Sequence, residues 1–394
     1  MISLAISPAF GQVLPGVEVL LQERLALIEG KRLGLITNPT GVASDLTSTI
    51  DALHAVKDAK LVALFGPEHG VRGDVFAGEK IAHSTDAKTG VPIYSLYGAT
   101  RQPTPEMLEG IDVLIYDIQD IGSRAYTYIY TMALSMQAAA KAGIPFLVLD
   151  RPNPLGGNLI EGPVLEEKFK SFIGLYPIPY IYGMTVGELA KYLNEEFKWG
   201  ANLIVVPLRG WGRDMLFNDT GLSWVPTSPH VPHAETAFFI AATGGIGELQ
   251  TISEGVGYTI PFELIGQTWI EPEKLASALN ALQLPGVRFR PLHFRPYYFG
   301  LKDQRLAGVQ IHLINARAFQ PMLTQLWILA TLLKLYPNQE FFSAERQQSF
   351  DRAMGTDQVR LKLVAGETPD KIIAEWQNEL DAFKARRLKY LLYE

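Results

Sequence analysis

Residues 61–74 read LVALFGPEHGVRGD. The first half of this stretch is a continuous apolar run, which is typical of a parallel strand that is buried on both faces. Gly66 interrupts the run, and a dense polar cluster follows it: Glu68, His69, Arg72 and Asp74. The stretch therefore predicts a buried strand whose carboxyl end carries several groups capable of chemistry.

Similar runs recur through the first 210 residues, each bounded by Gly, Pro or polar residues. They are KRLGLIT (31–37), KLVALFG (60–66), VPIYSLY (91–97), DVLIYDIQ (112–119), PFLVLDR (145–151) and LIVVPLR (203–209). Helical patterns lie between most of them, at 44–56, 126–142 and 185–197, and the last begins with a capping box of Thr185 and Glu188. This alternation predicts an α/β domain with a doubly wound parallel sheet.

Beyond Trp224 the composition of the sequence and its pattern of strands and helices change. The proline-rich stretch VPTSPHVPHAE (225–235) indicates a long loop or domain junction. A short strand pattern at 308–314 and helical patterns near 321–336 and 368–385 follow it. We therefore predict two domains, residues 1–230 with the parallel sheet and residues 231–394 as a smaller α+β domain.

Composition excludes several classes of function. The 394 residues carry a formal charge of −6 and no long run of Lys or Arg, which argues against a nucleic-acid partner. The chain has no cysteine, which excludes disulfides, thiolate nucleophiles and Cys-ligated zinc. No apolar run reaches the length of a membrane-spanning helix. The N-terminal MISLAISPAFGQ lacks a basic leader region, so we expect a cytoplasmic protein, or a secreted or periplasmic one if the true start lies upstream.

Candidate site residues follow from the rule that open α/β sheets bind ligands outside the carboxyl ends of their strands. Polar side chains follow four of the predicted strands. These are Asn38 after the first, Glu68, His69 and Arg72 after the second, Asp117, Asp120, Arg124 and Tyr126 at or after the fourth, and Asp150, Arg151 and Asn153 after the fifth.

Several carboxylates facing one crevice are what glycoside hydrolysis needs, with one acting as general acid and another as base, nucleophile or stabiliser. Glu68 is the candidate acid, because the apolar run before it would desolvate its carboxyl group. Asp117 or Asp120 would be its partner. An aspartate after a parallel strand also commonly caps a helix or braces a loop, so a structural role stays open for both.

Motifs for other chemistries are absent from the sequence. We find no G-x-G-x-x-G after the first strand, no G-x-x-x-x-G-K-[ST] and no G-x-S-x-G, and we predict no cofactor. His230 and His233 with Glu235 match a metal site only weakly, so we predict no metal.

Nine blocks of the sequence resemble the exo-β-N-acetylmuramidases, a family of bacterial enzymes. They are GLITNPTG (34–41), FGPEHGVRGD (65–74), AGEK (77–80), TGVPIYSLYG (89–98), YDIQDIGSRAYTYIYTM (116–132), VLDRPNPLGG (148–157), SFIGLYPIPYIYGMTVGELA (171–190), PFELIG (261–266) and RRLKYLLY (386–393). The resemblance implies a Rossmann-like N-terminal domain without a nucleotide. The activity it implies is release of N-acetylmuramic acid from the non-reducing ends of peptidoglycan-derived glycans or muropeptides, in cell-wall turnover or recycling.

The resemblance also implies roles for individual residues. The family's catalytic glutamate corresponds to Glu68, and the lactyl carboxylate of muramic acid is a target for Arg72, Arg124 or Arg151. The acetamido group of the sugar permits substrate-assisted catalysis. Relatives commonly have Arg where this chain has Val256 and Asn where it has His230, and Glu248 and Glu254 remain further cleft candidates. Two alternatives are a non-catalytic muropeptide- or sugar-binding protein and a metal-dependent hydrolase that uses His69 with the aspartates.

Overall fold

The computed structural model describes residues 12–73 and 84–394. Asp74 and the AGEK block at 77–80 lie outside the described residues. No helix within the described ranges is long and apolar enough to cross a bilayer.

The N-terminal part is built on a seven-stranded sheet with the order β3-β4-β2-β1-β5-β6-β7. Its strands are β1 (Arg32–Thr37), β2 (Lys60–Gly66), β3 (Ser84–Thr85), β4 (Pro92–Ser95), β5 (Val113–Asp117), β6 (Phe146–Leu149) and β7 (Leu203–Val206). All neighbours are parallel except β3 and β4. The six predicted strands and the α/β fold class are confirmed. β3 was not predicted, because two residues are too short for a periodic pattern.

The strand order reverses at β1, which pairs with β2 on one side and β5 on the other. Such a switch point opens a crevice at the carboxyl edge of the sheet. The polar ends of β1, β2 and β5 therefore meet at one place, which is where the sequence predicts a site.

Five helices flank this sheet. They are α1 (Gly16–Glu23), α2 (Thr49–His54), α3 (Pro105–Leu108), α4 (Tyr128–Ala142) and α5 (Val186–Glu196). α5 begins with the predicted capping box of Thr185 and Glu188. α2 is shorter than the predicted 44–56, because Ser48 caps its first turn and Ser44 instead bonds Glu18.

The C-terminal part has an antiparallel sheet with the order β8-β10-β9. Its strands are β8 (Leu264–Gln267), β9 (Val287–Phe294) and β10 (Leu306–Leu313), and its helices are α6 (Thr236–Gly247), α7 (Pro272–Ala281), α8 (Pro321–Leu335), α9 (Gln347–Met354), α10 (Gln358–Val364) and α11 (Pro369–Arg387). The last turn of α6 contains Gly244, Gly245 and Gly247. A Cβ on Gly245 would lie 2.4 Å from Gln325 Oε1, so glycine is what lets α6 approach α8.

The C-terminal tail returns to the N-terminal sheet. Tyr393 Oη donates to Asp150 Oδ2 at 2.6 Å, and the Leu392 N–H donates to Glu188 Oε1 at 2.8 Å. Glu188 is also the buried partner of Arg213. The two parts share one continuous hydrophobic core, so the tail joins them as a single packed unit.

Candidate active site

Glu68 lies in a tight loop after β2. Gly66 ends the strand, and the φ angles of His69 and Gly70 are +71° and +75°. This left-handed backbone turns Glu68 toward the crevice and leaves it partly exposed. His69 is almost buried beside it.

The described contacts of Glu68 are hydroxyl groups. Thr127 Oγ1 donates to its Oε2 at 3.4 Å. Burial, the negative charge of Glu68 and a hydrogen bond to it together raise the pKa of Tyr97. A carboxyl group held by hydroxyls, with access to solvent, can receive and return a proton.

Two tyrosines connect the loop before α4 to the 225–235 segment. Tyr126 Oη donates to Thr227 Oγ1 at 2.8 Å, and Tyr128 Oη donates to the Thr227 carbonyl at 2.5 Å. Their rings meet edge to face at 5.0 Å. Asn38 lies beside Tyr128, with which it shares a side-chain hydrogen bond, and its Oδ1 accepts from the N–H of Thr40 at 3.0 Å. The segment that the sequence marked as a junction thus lies against the carboxyl edge of the sheet.

Asp117 is fully buried and forms an ion pair with Arg151. The distances are 2.5 Å from Arg151 Nε to Oδ1 and 2.8 Å from Nη2 to Oδ2. Thr49 Oγ1 also donates to Asp117 Oδ2 at 2.5 Å. This bidentate pair occupies both groups. The burial and the two hydrogen bonds favour a structural role for Asp117 over the predicted catalytic one, and the substrate contact predicted for Arg151 stays a prediction.

Arg124 is also enclosed. It has no exposed surface, donates to the Met354 carbonyl at 2.7 Å, and has its pKa lowered by burial. Its Nε and Nη1 are buried without a hydrogen-bond partner, so the contact with substrate predicted for Arg124 stays a prediction.

Asp150 and Asn153 are likewise buried in bonds to the protein. Asp150 accepts from Thr185, from the N–H of Gly187 and from Tyr393, and burial raises its pKa to about 7. Asn153 Nδ2 donates to the Met184 carbonyl at 2.9 Å. The structure places both under α5 and its preceding loop, so we also revise their predicted contact with substrate.

Arg72 forms a bidentate pair with Asp86, at 2.9 and 3.0 Å. This bonding lowers the pKa of Asp86 to about 2. Both residues line a cavity of about 340 Å³ beside β4. The predicted target of Arg72, a substrate carboxylate, would have to compete with this partner.

Asp120 differs from the other aspartates. Tyr182 Oη donates to its Oδ1 at 2.6 Å, as does the Gly122 N–H at 2.8 Å, while Oδ2 is buried without a hydrogen-bond partner. Burial raises its pKa to about 6. An unpaired carboxylate oxygen is costly unless something binds it or protonates it, which keeps Asp120 as a candidate.

Glu248 and Glu254 lie at and after the end of α6. Burial raises the pKa of Glu248, with Arg346 acting in the opposite direction, and raises that of Glu254 to about 7. The carboxyl of Glu254 packs on Gly247, where a Cβ would lie 2.8 Å from its Cδ. Their described neighbours belong to the C-terminal part and to Tyr180, and none of these contacts reaches Glu68.

Sequence reasoning missed several residues near Glu68. Tyr97 and Thr127 belong to blocks that carry the family resemblance, so that signal was present. The sequence marks His230 as a weak metal candidate and as a departure from the Asn of relatives, but it does not predict that its Nε2 lies 2.6 Å from Tyr298 Oη with its ring stacked on the tyrosine. Burial, and to a lesser extent His69, lower the pKa of His230. Only folding brings His69, His230 and Tyr298 together.

His233 and Glu235 point elsewhere. They line a cavity of about 650 Å³ together with Glu263 and residues of β10, away from the Glu68 loop. Within the described ranges no three His, Asp or Glu side chains converge as a metal site would require.

Comparison with known proteins decides the family. Residues 33–235 match the N-terminal domain, and residues 241–393 the C-terminal domain, of the family described as exo-beta-N-acetylmuramidase NamZ. The chain belongs to this family. It is 49% identical over 383 residues to peptidoglycan beta-N-acetylmuramidase NamZ from Bacillus subtilis (strain 168), which covers 97% of this chain and 92% of that protein.

Solved structures agree with this assignment. A DUF1343 family protein from Bacteroides fragilis NCTC 9343 superimposes with a TM-score of 0.92 at 47% identity, covering 97% of this chain and 99% of that one. A second DUF1343 family protein from the same organism gives a TM-score of 0.78 at 27% identity, covering 98% and 99%. The predicted family membership and the fold that it implies are confirmed.

The buried ion pair makes a stability prediction. Asp117→Asn leaves Arg151 buried without a counter-charge, and we expect it to lower the free energy of unfolding by roughly 3–5 kcal/mol. The matched control is Asp112→Asn, which breaks the exposed Asp112–Arg32 pair and should lower the stability much less. Denaturant titration measures both, and similar losses in the two variants would contradict the structural role.

Glu254 makes a prediction about pH. Its folded pKa of about 7 lies above the ordinary 4.5, so the native state binds the proton more tightly than the unfolded state does. Its contribution to stability is complete below pH 4.5 and is lost as pH rises through 7. Glu254→Gln should therefore gain stability over the wild type from pH 5 to 8, by on the order of 3 kcal/mol. Exposed Glu379→Gln is the control, and parallel pH profiles of wild type and Glu254→Gln would refute the assignment.

Proposed function

We propose that this protein is an exo-acting β-N-acetylmuramidase that releases N-acetylmuramic acid from the non-reducing ends of peptidoglycan glycans or muropeptides, with Glu68 as the general acid. One observation carries the assignment of Glu68. At the carboxyl edge of the sheet, Asp117, Asp120 and Asp150 are buried, whereas Glu68 is partly exposed and held by hydroxyl groups. Proton transfer to a substrate requires a carboxyl group that the substrate can touch.

Glu68 would protonate the glycosidic oxygen as the bond to the leaving sugar breaks. Thr127 and Tyr97 orient its carboxyl group. After the leaving group departs, the Glu68 carboxylate takes a proton from the incoming water.

Asp120 is the proposed second carboxylate, in place of the alternative Asp117. Asp117 is neutralised by Arg151, whereas Asp120 keeps one oxygen without a partner. Because Asp120 is buried, it is poorly placed to attack the sugar carbon. It fits better a substrate-assisted route, in which the acetamido oxygen of the sugar attacks and a carboxylate orients or polarises the amide.

Binding of the lactyl carboxylate of muramic acid requires a hydrogen-bond donor from the protein. Arg151 is paired with Asp117, and Arg124 has no exposed surface and donates through its Nη2 to the Met354 carbonyl. His230 lies within electrostatic range of His69, the residue after Glu68, and an imidazole N–H can donate to a carboxylate. We propose that these two histidines, rather than the two buried arginines, position that carboxylate.

Replacing Glu68 tests the assignment. Glu68→Gln keeps the shape of the side chain but removes its proton, and we expect turnover to fall roughly 10²–10⁴-fold. The substrate is the disaccharide of N-acetylmuramic acid β-linked to N-acetylglucosamine, and mass analysis of the released sugars gives the rate. Exposed Glu109→Gln is the control, and both variants should keep the wild-type melting temperature.

Near-normal turnover by Glu68→Gln would remove Glu68 from the chemistry. Calorimetry with the same disaccharide measures binding and so tests the alternative of a sugar-binding protein without catalytic activity. Binding by the wild type with no release of sugar would favour the sugar-binding alternative over an enzyme.

Asp120→Asn tests the second carboxylate. We expect kcat to fall at least tenfold with a smaller change in KM, because the group acts on the reacting substrate and not on its capture. A loss of thermal stability with kcat unchanged would instead show that Asp120 only braces its loop.

A further inference from the structure

Three consecutive aromatic residues lie exposed on the loop between β9 and β10. Tyr297, Tyr298 and Phe299 are 53%, 40% and 59% exposed. We call this group of three residues the aromatic platform. Within it, the ring centroids of Tyr297 and Tyr298 are 5.6 Å apart. Contiguous exposed apolar surface of this kind commonly marks a binding site.

The backbone holds the platform in place. The Tyr297 N–H donates to the Gly257 carbonyl at 2.9 Å, and a Cβ on Gly257 would lie 2.2 Å from the Tyr298 carbonyl oxygen. Phe299 has a φ of +70°, a conformation that is unfavourable for a bulky side chain. Strain of this kind persists where the surrounding structure over-determines it, often at ligand sites.

A chain of contacts connects the platform to Glu68. Tyr298 Oη bonds His230, and His230 lies within electrostatic range of His69, the residue after Glu68. Three residues before His230, Thr227 accepts from Tyr126, the neighbour of the Thr127 that bonds Glu68. The platform therefore borders the crevice on the side of the C-terminal part.

We propose that the aromatic platform is a binding subsite for the sugar on the leaving-group side of the scissile bond, a β-linked N-acetylglucosamine unit. This inference rests on the proposed function. An exo-acting enzyme encloses the terminal sugar, so the remainder of the glycan must leave across the rim of the crevice. The apolar C–H face of a pyranose packs on an aromatic ring such as those of Tyr297 and Phe299, and the Tyr298 hydroxyl supplies a polar contact to its substituents.

Contacts between the platform and this N-acetylglucosamine unit would raise the rate of cleavage, because contacts remote from the scissile bond help to position that bond for reaction. The platform variants are Tyr297→Ala and Phe299→Ala, both at exposed positions. Tyr297→Phe keeps the ring as the matched control. Val364→Ala, 62% exposed on α10, controls for loss of apolar surface elsewhere.

The experiment compares kcat/KM on two substrates, the N-acetylmuramic acid–N-acetylglucosamine disaccharide and methyl β-N-acetylmuramide, which lacks the second sugar. We expect the ratio of disaccharide to methyl glycoside to fall roughly three- to tenfold in each alanine variant. Tyr297→Phe and Val364→Ala should keep the wild-type ratio. A ratio that is unchanged in both alanine variants overturns the proposal.

A binding assay separates this inference from the proposed activity. Titration of β-1,4-linked N-acetylglucosamine disaccharide, followed by nuclear magnetic resonance, should show binding to wild type that weakens at least threefold in the alanine variants. This result would support the platform even if the wild type cleaved neither substrate. Failure of the wild type to bind the disaccharide, or equal binding by all variants, overturns the platform and leaves the role of Glu68 to its own test.

Discussion

The buried ion pair between Asp117 and Arg151 organises the carboxyl edge of the sheet. It joins the end of β5 to the second residue after β6, and Arg151 Nη2 also reaches the Val42 carbonyl in the loop after β1. Thr49 at the start of α2 completes the arrangement. Taking two charges out of water is costly, but once they are buried the loss of either is worse. The pair therefore fixes three strand ends relative to one another.

The same pairing of charged groups within the protein determines which side chains at this edge are left to contact a substrate. Most ionisable groups at the edge are consumed by the fold: Asp150 receives the C-terminal tail and α5, and Arg124 bonds the end of α9. The carboxyl groups that we propose for the chemistry are Glu68, which hydroxyl groups hold, and Asp120, whose Oδ2 has no hydrogen-bond partner. A family of glycosidases can operate with so few open carboxylates where the substrate's own acetamido group takes part in the reaction.

The crevice depends on both parts of the chain. Thr227 and His230 come from the segment between the two sheets, and the aromatic platform comes from the C-terminal sheet. The tail that ends in Tyr393 bonds back to Asp150 and holds the parts together. A site made in this way can enclose a terminal sugar on one side and support the following sugar on the other, which is the geometry that exo-cleavage requires.

Local pattern was enough to predict the parallel strands, the capping box of α5 and the position of Glu68 after β2, because strand burial and helix capping depend on residues close in sequence. The family followed from short blocks along the chain. The roles of Asp117, Arg124 and Arg151 could not be read in this way, since an arginine at a strand end looks the same whether it meets a substrate or a buried aspartate. Burial, and the pairing of residues far apart in sequence such as His230 and Tyr298, are set only when the chain packs, because desolvation decides which charges must find partners within the protein.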